Sequence, residues 1–250
     1  MAGQIPNWRG LWVMVLMLAV MPASGLRAQW TYLGDSLLTS SGVSSHFLAF
    51  DPQWHPYVVQ TIGGEVSLEW FDGQQWTALP DAGLPTSGAN DCAMAFSQDG
   101  EGYVAVGANL QIYHWDSAQW LPLGGLSPVS AAQGIQLRVA PDGKVWLAWF
   151  RAGAADTTWV KSWTSSGGWS TAGILEGRIL DMELDDLGEP AVLLLHAPAI
   201  LHRVAGIWQP LPAFTYPDED YIALQMSYDG TGTGPWCCGA TPSTASRRSC

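Results

Sequence analysis

Trp70-Phe71-Asp72-Gly73-Gln74-Gln75-Trp76-Thr77-Ala78-Leu79-Pro80 is the stretch on which the reading of this 250-residue chain turns, because its second half recurs. Downstream it returns as Gln119-Trp120-Leu121-Pro122, Gly168-Trp169-Ser170-Thr171 and Ile207-Trp208-Gln209-Pro210, and upstream as Gln29-Trp30-Thr31-Tyr32. The five indoles, Trp30, Trp76, Trp120, Trp169 and Trp208, are 46, 44, 49 and 39 residues apart. A second marker keeps the same period: an apolar residue, a tight turn, then a short apolar run. Its leading residues, Phe50, Phe96, Val139, Leu184 and Met226, are 46, 43, 45 and 42 apart. Two independent markers with one period in the forties identify tandem modules that bury their apolar faces against each other.

Each module divides into short apolar runs bounded by turn residues. In the first these are 46–50, 57–62, 66–71 and 75–79. Runs this short, rich in Val, Leu and aromatics, are strands rather than helices. Four antiparallel strands per repeat is the layout of a β-propeller blade. Gly in Asp99-Gly100, Asp142-Gly143 and Asp72-Gly73 supplies the positive φ of the hairpin turns. The repeated indole is expected to fill the wedge between neighbouring blades. The expected fold is therefore all-β, a propeller spanning 29–236. Four complete blades are expected at about 44–80, 91–124, 134–173 and 179–212, with a partial fifth beginning at Tyr221. Residues 30–34 match a fourth strand and are expected to close the ring by completing the fifth blade. The register breaks after Gly230, so 237–250 reads as a disordered or out-of-register tail, and the chain as a piece of a longer propeller.

Gly 28 and Pro 16 suit a turn-rich sheet protein, and a charged fraction of only 13% suits strands buried on both faces. Residues 1–28 read as a signal peptide. Arg9 gives a positive start, residues 11–21 an apolar core, and cleavage is expected after Ala28 or Gly25. Export to the periplasm, the cell surface or the exterior follows, with no membrane association after cleavage. The net charge of −12 argues against nucleic acid and against anionic membrane surfaces, both of which need clustered Lys and Arg. Of the four cysteines, Cys92, Cys237, Cys238 and Cys250, no pair has zinc-site spacing, and Cys92 is expected to be a buried free thiol.

No motif assigns catalysis or a cofactor, and a non-catalytic monomer is expected. Asp99, Asp142 and Asp229 share a repeat position, but each precedes Gly in a turn. Asp218 and Asp220 belong to the densest acidic cluster, on the face where Asp81, Asp91 and Asp181 are also expected. That cluster reads either as a solvated rim or as a cation site. The histidines show no metal-binding spacing, and no Gly-x-Ser-x-Gly elbow is present. Arg138 and Glu183 share a register on successive innermost strands and are expected to pair. The fifteen Trp exceed what the repeat requires. Trp146 and Trp163 are expected in the core. Trp54 with His55, in a turn, and Trp159, at a strand start, are expected to be exposed, where indoles can stack on sugar rings.

The combined pattern, an apolar-x-x-Asp-Gly turn followed by Phe71-Asp72-Gly73-x-x-Trp76-x-x-Leu79, resembles the propeller repeats of secreted bacterial proteins that carry C-terminal sorting domains. The Phe50-Asp51-Pro52 start and the count of five units more weakly resemble tachylectin-type lectins. These resemblances imply a secreted binding or scaffold module whose partner is a glycan or an extracellular protein, and alternatively a carbohydrate-binding lectin. A glycan-active enzyme is the third reading.

Overall fold

The computed structural model describes residues 42–107, 109–127, 129–151, 157–195, 199–211, 221–227 and 237–242. Among them there is no helix, and the strands form four four-stranded antiparallel sheets and one two-stranded sheet. The first sheet is β1 (Val43–Phe50), β2 (Pro56–Ile62), β3 (Glu65–Phe71) and β4 (Trp76–Ala78). The second is β5 (Cys92–Phe96), β6 (Gly102–Val106), β7 (Gln111–Trp115) and β8 (Trp120–Pro122). The third is β9 (Ala132–Val139), β10 (Val145–Arg151), β11 (Thr157–Thr164) and β12 (Gly168–Glu176). The fourth is β13 (Arg178–Leu184), β14 (Pro190–Leu195), β15 (Ala199–Val204) and β16 (Ile207–Pro210). In each the strands pair in chain order, so every connection inside a sheet is a hairpin.

The last sheet pairs β17 (Tyr221–Ser227) with β18 (Cys237–Pro242), Ser227 opposite Cys237. Strand β18 lies in the segment expected to be a disordered or out-of-register tail. Its backbone instead finds ladder partners along β17. Residues 1–28, read as a signal peptide, and residues 30–34, expected to close the ring, lie outside the described residues with Trp30, as do Asp218 and Asp220.

The first strands of successive sheets pack in order, β1 on β5, β5 on β9, β9 on β13 and β13 on β17. Each junction holds its own apolar cluster. Val59 and Leu68 meet Met94 and Val104 at the first, Ala105 and Ile112 meet Leu137 and Leu147 at the second, and Trp146 and Val160 meet Met182 and Val192 at the third. Second strands are covered on both faces, which is why they read as unbroken apolar runs: all five residues of β6 are buried. Fully burying one such Val or Leu stabilises the fold by about 1.5–3 kcal/mol.

The repeated indoles do more than fill wedges. Trp120 Nε1 donates to the Pro80 carbonyl (3.0 Å), Trp169 to Leu123 (3.3 Å) and Trp208 to Ala172 (2.9 Å). Each therefore bonds the backbone just past the fourth strand of the preceding sheet, or within it. Trp76 packs on Phe71 with ring centroids 5.5 Å apart. Acidic side chains stitch the inner strands in the same way. Asp91 accepts from Ser45 Oγ (2.7 Å) in the first sheet and from the Ile135 amide (3.1 Å) in the third. Asp181 accepts from the Met182 and Met226 amides (2.8 and 2.7 Å). Asp181 is buried, so it is not part of a solvated rim. Burial raises its pKa, and the partial relief from Arg138 and the amides does not reverse the shift. Arg138 pairs with Glu183 at 2.8 Å, the expected inter-sheet bridge, and reaches Asp181 at 3.4 Å. Cys92 is a buried free thiol whose pKa burial pushes up to about 12.

Candidate functional site

The repeat allows each position to be compared with its counterparts. The turn between first and second strands reads Asp51-Pro52-Gln53-Trp54-His55 in the first sheet. Its fourth place is Gly100, Gly143 and Gly188 in the next three, with φ of 87°, 80° and 74°. Trp54 keeps that backbone, at φ 66°, and is 79% exposed. An L-residue is disfavoured there because its Cβ crowds the following carbonyl. Asp51 holds the turn: Oδ1 accepts the Gln53 and His55 amides (2.9 and 2.8 Å), and Oδ2 lies 2.8 Å from His55 Nδ1. Burial works to raise the Asp51 pKa, but the His55 and Gln53 hydrogen bonds and the His55 charge outweigh it and hold it below the usual value.

From this turn an aromatic row leads toward the second sheet. His55 meets Trp70 edge-on at 6.0 Å, and Trp70 stacks on Tyr57 at 6.1 Å. Tyr57 then meets Phe96 at 4.6 Å across the junction. There a pocket of about 230 Å³ opens, lined by the side chains of Tyr57, Met94, Phe96, Trp115 and Trp120 together with Leu79, Pro80, Gly100 and Gly102. Trp115 and Trp120 lie 5.2 Å apart, and Trp120 is pinned by its bond to Pro80.

Gly102 makes the space. It faces Phe96 in the ladder, as Val145 faces Val139 and Pro190 faces Leu184 in the next two sheets. A Cβ at Gly102 would lie 3.4 Å from both Phe96 and Trp120, so it would point into the pocket. Tyr57 is the one lining residue that can ionise, and burial, followed by the charge of Asp51, raises its pKa. The pocket is thus neutral and apolar across the physiological range. Among the described residues no three His, Cys, Asp or Glu side chains gather as a metal-binding group.

The residues singled out in the sequence fall on different sheets. Trp54 and His55 share the first turn, Trp54 exposed and His55 half-exposed. Trp159, expected to be exposed at a strand start, is half-buried on β11 and stacks on Trp149 at 6.2 Å. Trp146 is buried, as expected, and Trp163 packs against the core. Sequence reasoning missed the pocket, because Gly102 stands against Val145 and Pro190 only once the strand ladders set the register.

No family model matches the chain, and no curated protein does. Solved structures do. The chain is similar to virginiamycin B lyase from Staphylococcus aureus, at 17% identity and TM-score 0.55, covering 77% of this chain and 62% of that one. It thus spans less than two thirds of the lyase. It is also similar to a fungal lectin, the six-bladed β-propeller of Aleuria aurantia lectin, at 12% identity and TM-score 0.56, covering 83% and 80%. SapL1 lectin, solved with α-methyl fucoside, gives 14% identity and TM-score 0.54, covering 81% and 82%. At these identities the likeness establishes a β-propeller fold alone.

Proposed function

We propose that this chain is a non-catalytic ligand-binding propeller module, and that its site is the aromatic pocket at the junction of the first and second sheets. The carrying observation is the gap at Gly102, a position filled by Val145 and Pro190 in the next two sheets. A rigid, mostly preformed apolar concavity is the usual form of a small-molecule site. The lining offers no acid–base pair and no nucleophile, which favours binding over chemistry. The test is a thermal-shift screen of small aromatics and methyl glycosides against the wild type and Gly102→Val. At least one compound is expected to raise the wild-type Tm saturably and to leave Gly102→Val unmoved. No stabilisation by any compound at millimolar concentration, or equal stabilisation of both proteins, overturns the reading.

A second reading, carbohydrate binding at the exposed turn, is favoured by Trp54. An indole held 79% exposed in a disfavoured backbone conformation, beside half-exposed His55, suits stacking on a sugar ring. The propeller likeness to lectins is compatible with it. A glycan array answers it: binding lost in Trp54→Ala supports the turn, and an empty array removes it. The proposal takes residues 1–28 as a signal peptide, so either activity would act outside the cytoplasm, with a glycan or an extracellular protein as the partner.

A further inference from the structure

Resting on the pocket reading above, we infer that the ligand is a neutral, planar, indole-class ring with a hydrogen-bond donor on its edge. The molecule carries its own image of such an occupant. At the junction of the third and fourth sheets the corresponding space is filled by Trp146, which is 1% exposed. Trp146 stands opposite Arg138 in its ladder as Tyr57 stands opposite Ala49, so the two are equivalent by register. Trp146 shares the apolar cluster of the third junction with Met182, Leu184 and Trp208, the counterparts of Met94, Phe96 and Trp120 in the pocket. The Trp146 Nε1 donates to the carbonyl of Gly188 at 2.8 Å. Gly100, the counterpart of Gly188, lines the pocket.

At the first junction the protein supplies a smaller ring. Tyr57 stacks on Trp70 and donates to Asp51 at 3.4 Å, and the space that an indole takes at the third junction is left open. The stacking partner changes as well. Arg203, whose guanidinium carbon lies 5.4 Å from the Trp146 centroid, is replaced in register by Trp115. An aromatic face in place of a cation suits an uncharged ring. The size agrees: an apolar cavity of roughly 150 Å³ holds benzene, and this one, at about 230 Å³, is larger by enough for a fused second ring.

The test is calorimetric titration with indole, 1-methylindole, benzene and a methyl glycoside, against the wild type, Gly102→Val and Tyr57→Trp. Indole is expected to bind saturably, one per chain. The donor should matter: 1-methylindole, which cannot donate, is expected to bind about fivefold to tenfold more weakly. Tyr57→Trp places the protein's own indole in the gap, so it should abolish indole binding while raising Tm, an outcome that a misfolded variant cannot imitate. Gly102→Val should abolish binding with the fold retained. If benzene or the glycoside binds in a Gly102-dependent way and indole does not, or if 1-methylindole binds as tightly as indole, this inference fails and the pocket reading stands. If nothing binds, or binding survives both variants, both fail.

Discussion

At position 54 the backbone takes φ 66° with an indole attached, where three sister turns have glycine. That conformation costs an L-residue about 1 kcal/mol, and the exposed ring recovers little by packing on half-exposed Phe50 at 6.1 Å. Trp54→Gly should therefore leave the fold as stable or more stable by up to about 1 kcal/mol, glycine's extra unfolded-state entropy offsetting part of the relief. Urea denaturation checks this, and a loss of more than about 1 kcal/mol would mean that the indole packs rather than presents itself. Next to it, Asp51 has a lowered pKa because His55 and Gln53 hold the carboxylate against the opposing effect of burial. A lowered folded value means that the unfolded chain takes the proton more readily. The stabilisation is then fully present above the ordinary carboxylate pKa and is lost as pH falls through the folded value. Asp51→Ala should be less stable than the wild type near neutrality, and the gap should narrow steadily in melts taken from about pH 6 down to about pH 3. A gap independent of pH would assign the loss to packing.

At the scale of the element, the fourth strand is short: β8 spans three residues, Trp120–Pro122. What anchors it is the Trp120 ring, buried at 3% exposure and bonded to Pro80 of the preceding sheet. Trp120→Phe removes both the donor and part of the ring, and should cost about 1–3 kcal/mol in chemical denaturation. A change below about 0.5 kcal/mol would show that the wedge bears no weight. The strands and their hairpins were legible in the sequence because alternation, turn glycines and the apolar runs of doubly covered strands are local signals. The observed sheets start and stop within a few residues of the expected ranges. The roles of Asp91 and Asp181 were not legible, because their partners, Ile135 and Met226, lie more than forty residues away and are backbone amides that any sequence would carry. The Arg138–Glu183 bridge was legible, since opposite charges in one register on adjacent inner strands stand across the junction from each other, whereas the added contact to Asp181 was not. Trp159 was misjudged because position at a strand start says nothing of the Trp149 ring beside it.

For the whole molecule, the repeat is both the architecture and the control experiment. Successive sheets solve one packing problem with different side chains, so a junction that departs from its sisters stands out. The period made the propeller readable, but the pocket is defined by what Gly102 lacks and by Tyr57 standing where the third sheet has Trp146. Such a difference surfaces only when positions are set against each other in register, which needs the strand ladders. The account's central claim, that the first junction is a site left open for an indole-like ring, is tested most directly by soaking crystals with 5-bromoindole and measuring the bromine anomalous signal. The account predicts a single bromine site among Phe96, Trp115 and Trp120 in the wild type, absent from Gly102→Val crystals. A bromine bound elsewhere, no peak at saturating concentration, or the same peak in Gly102→Val would contradict it.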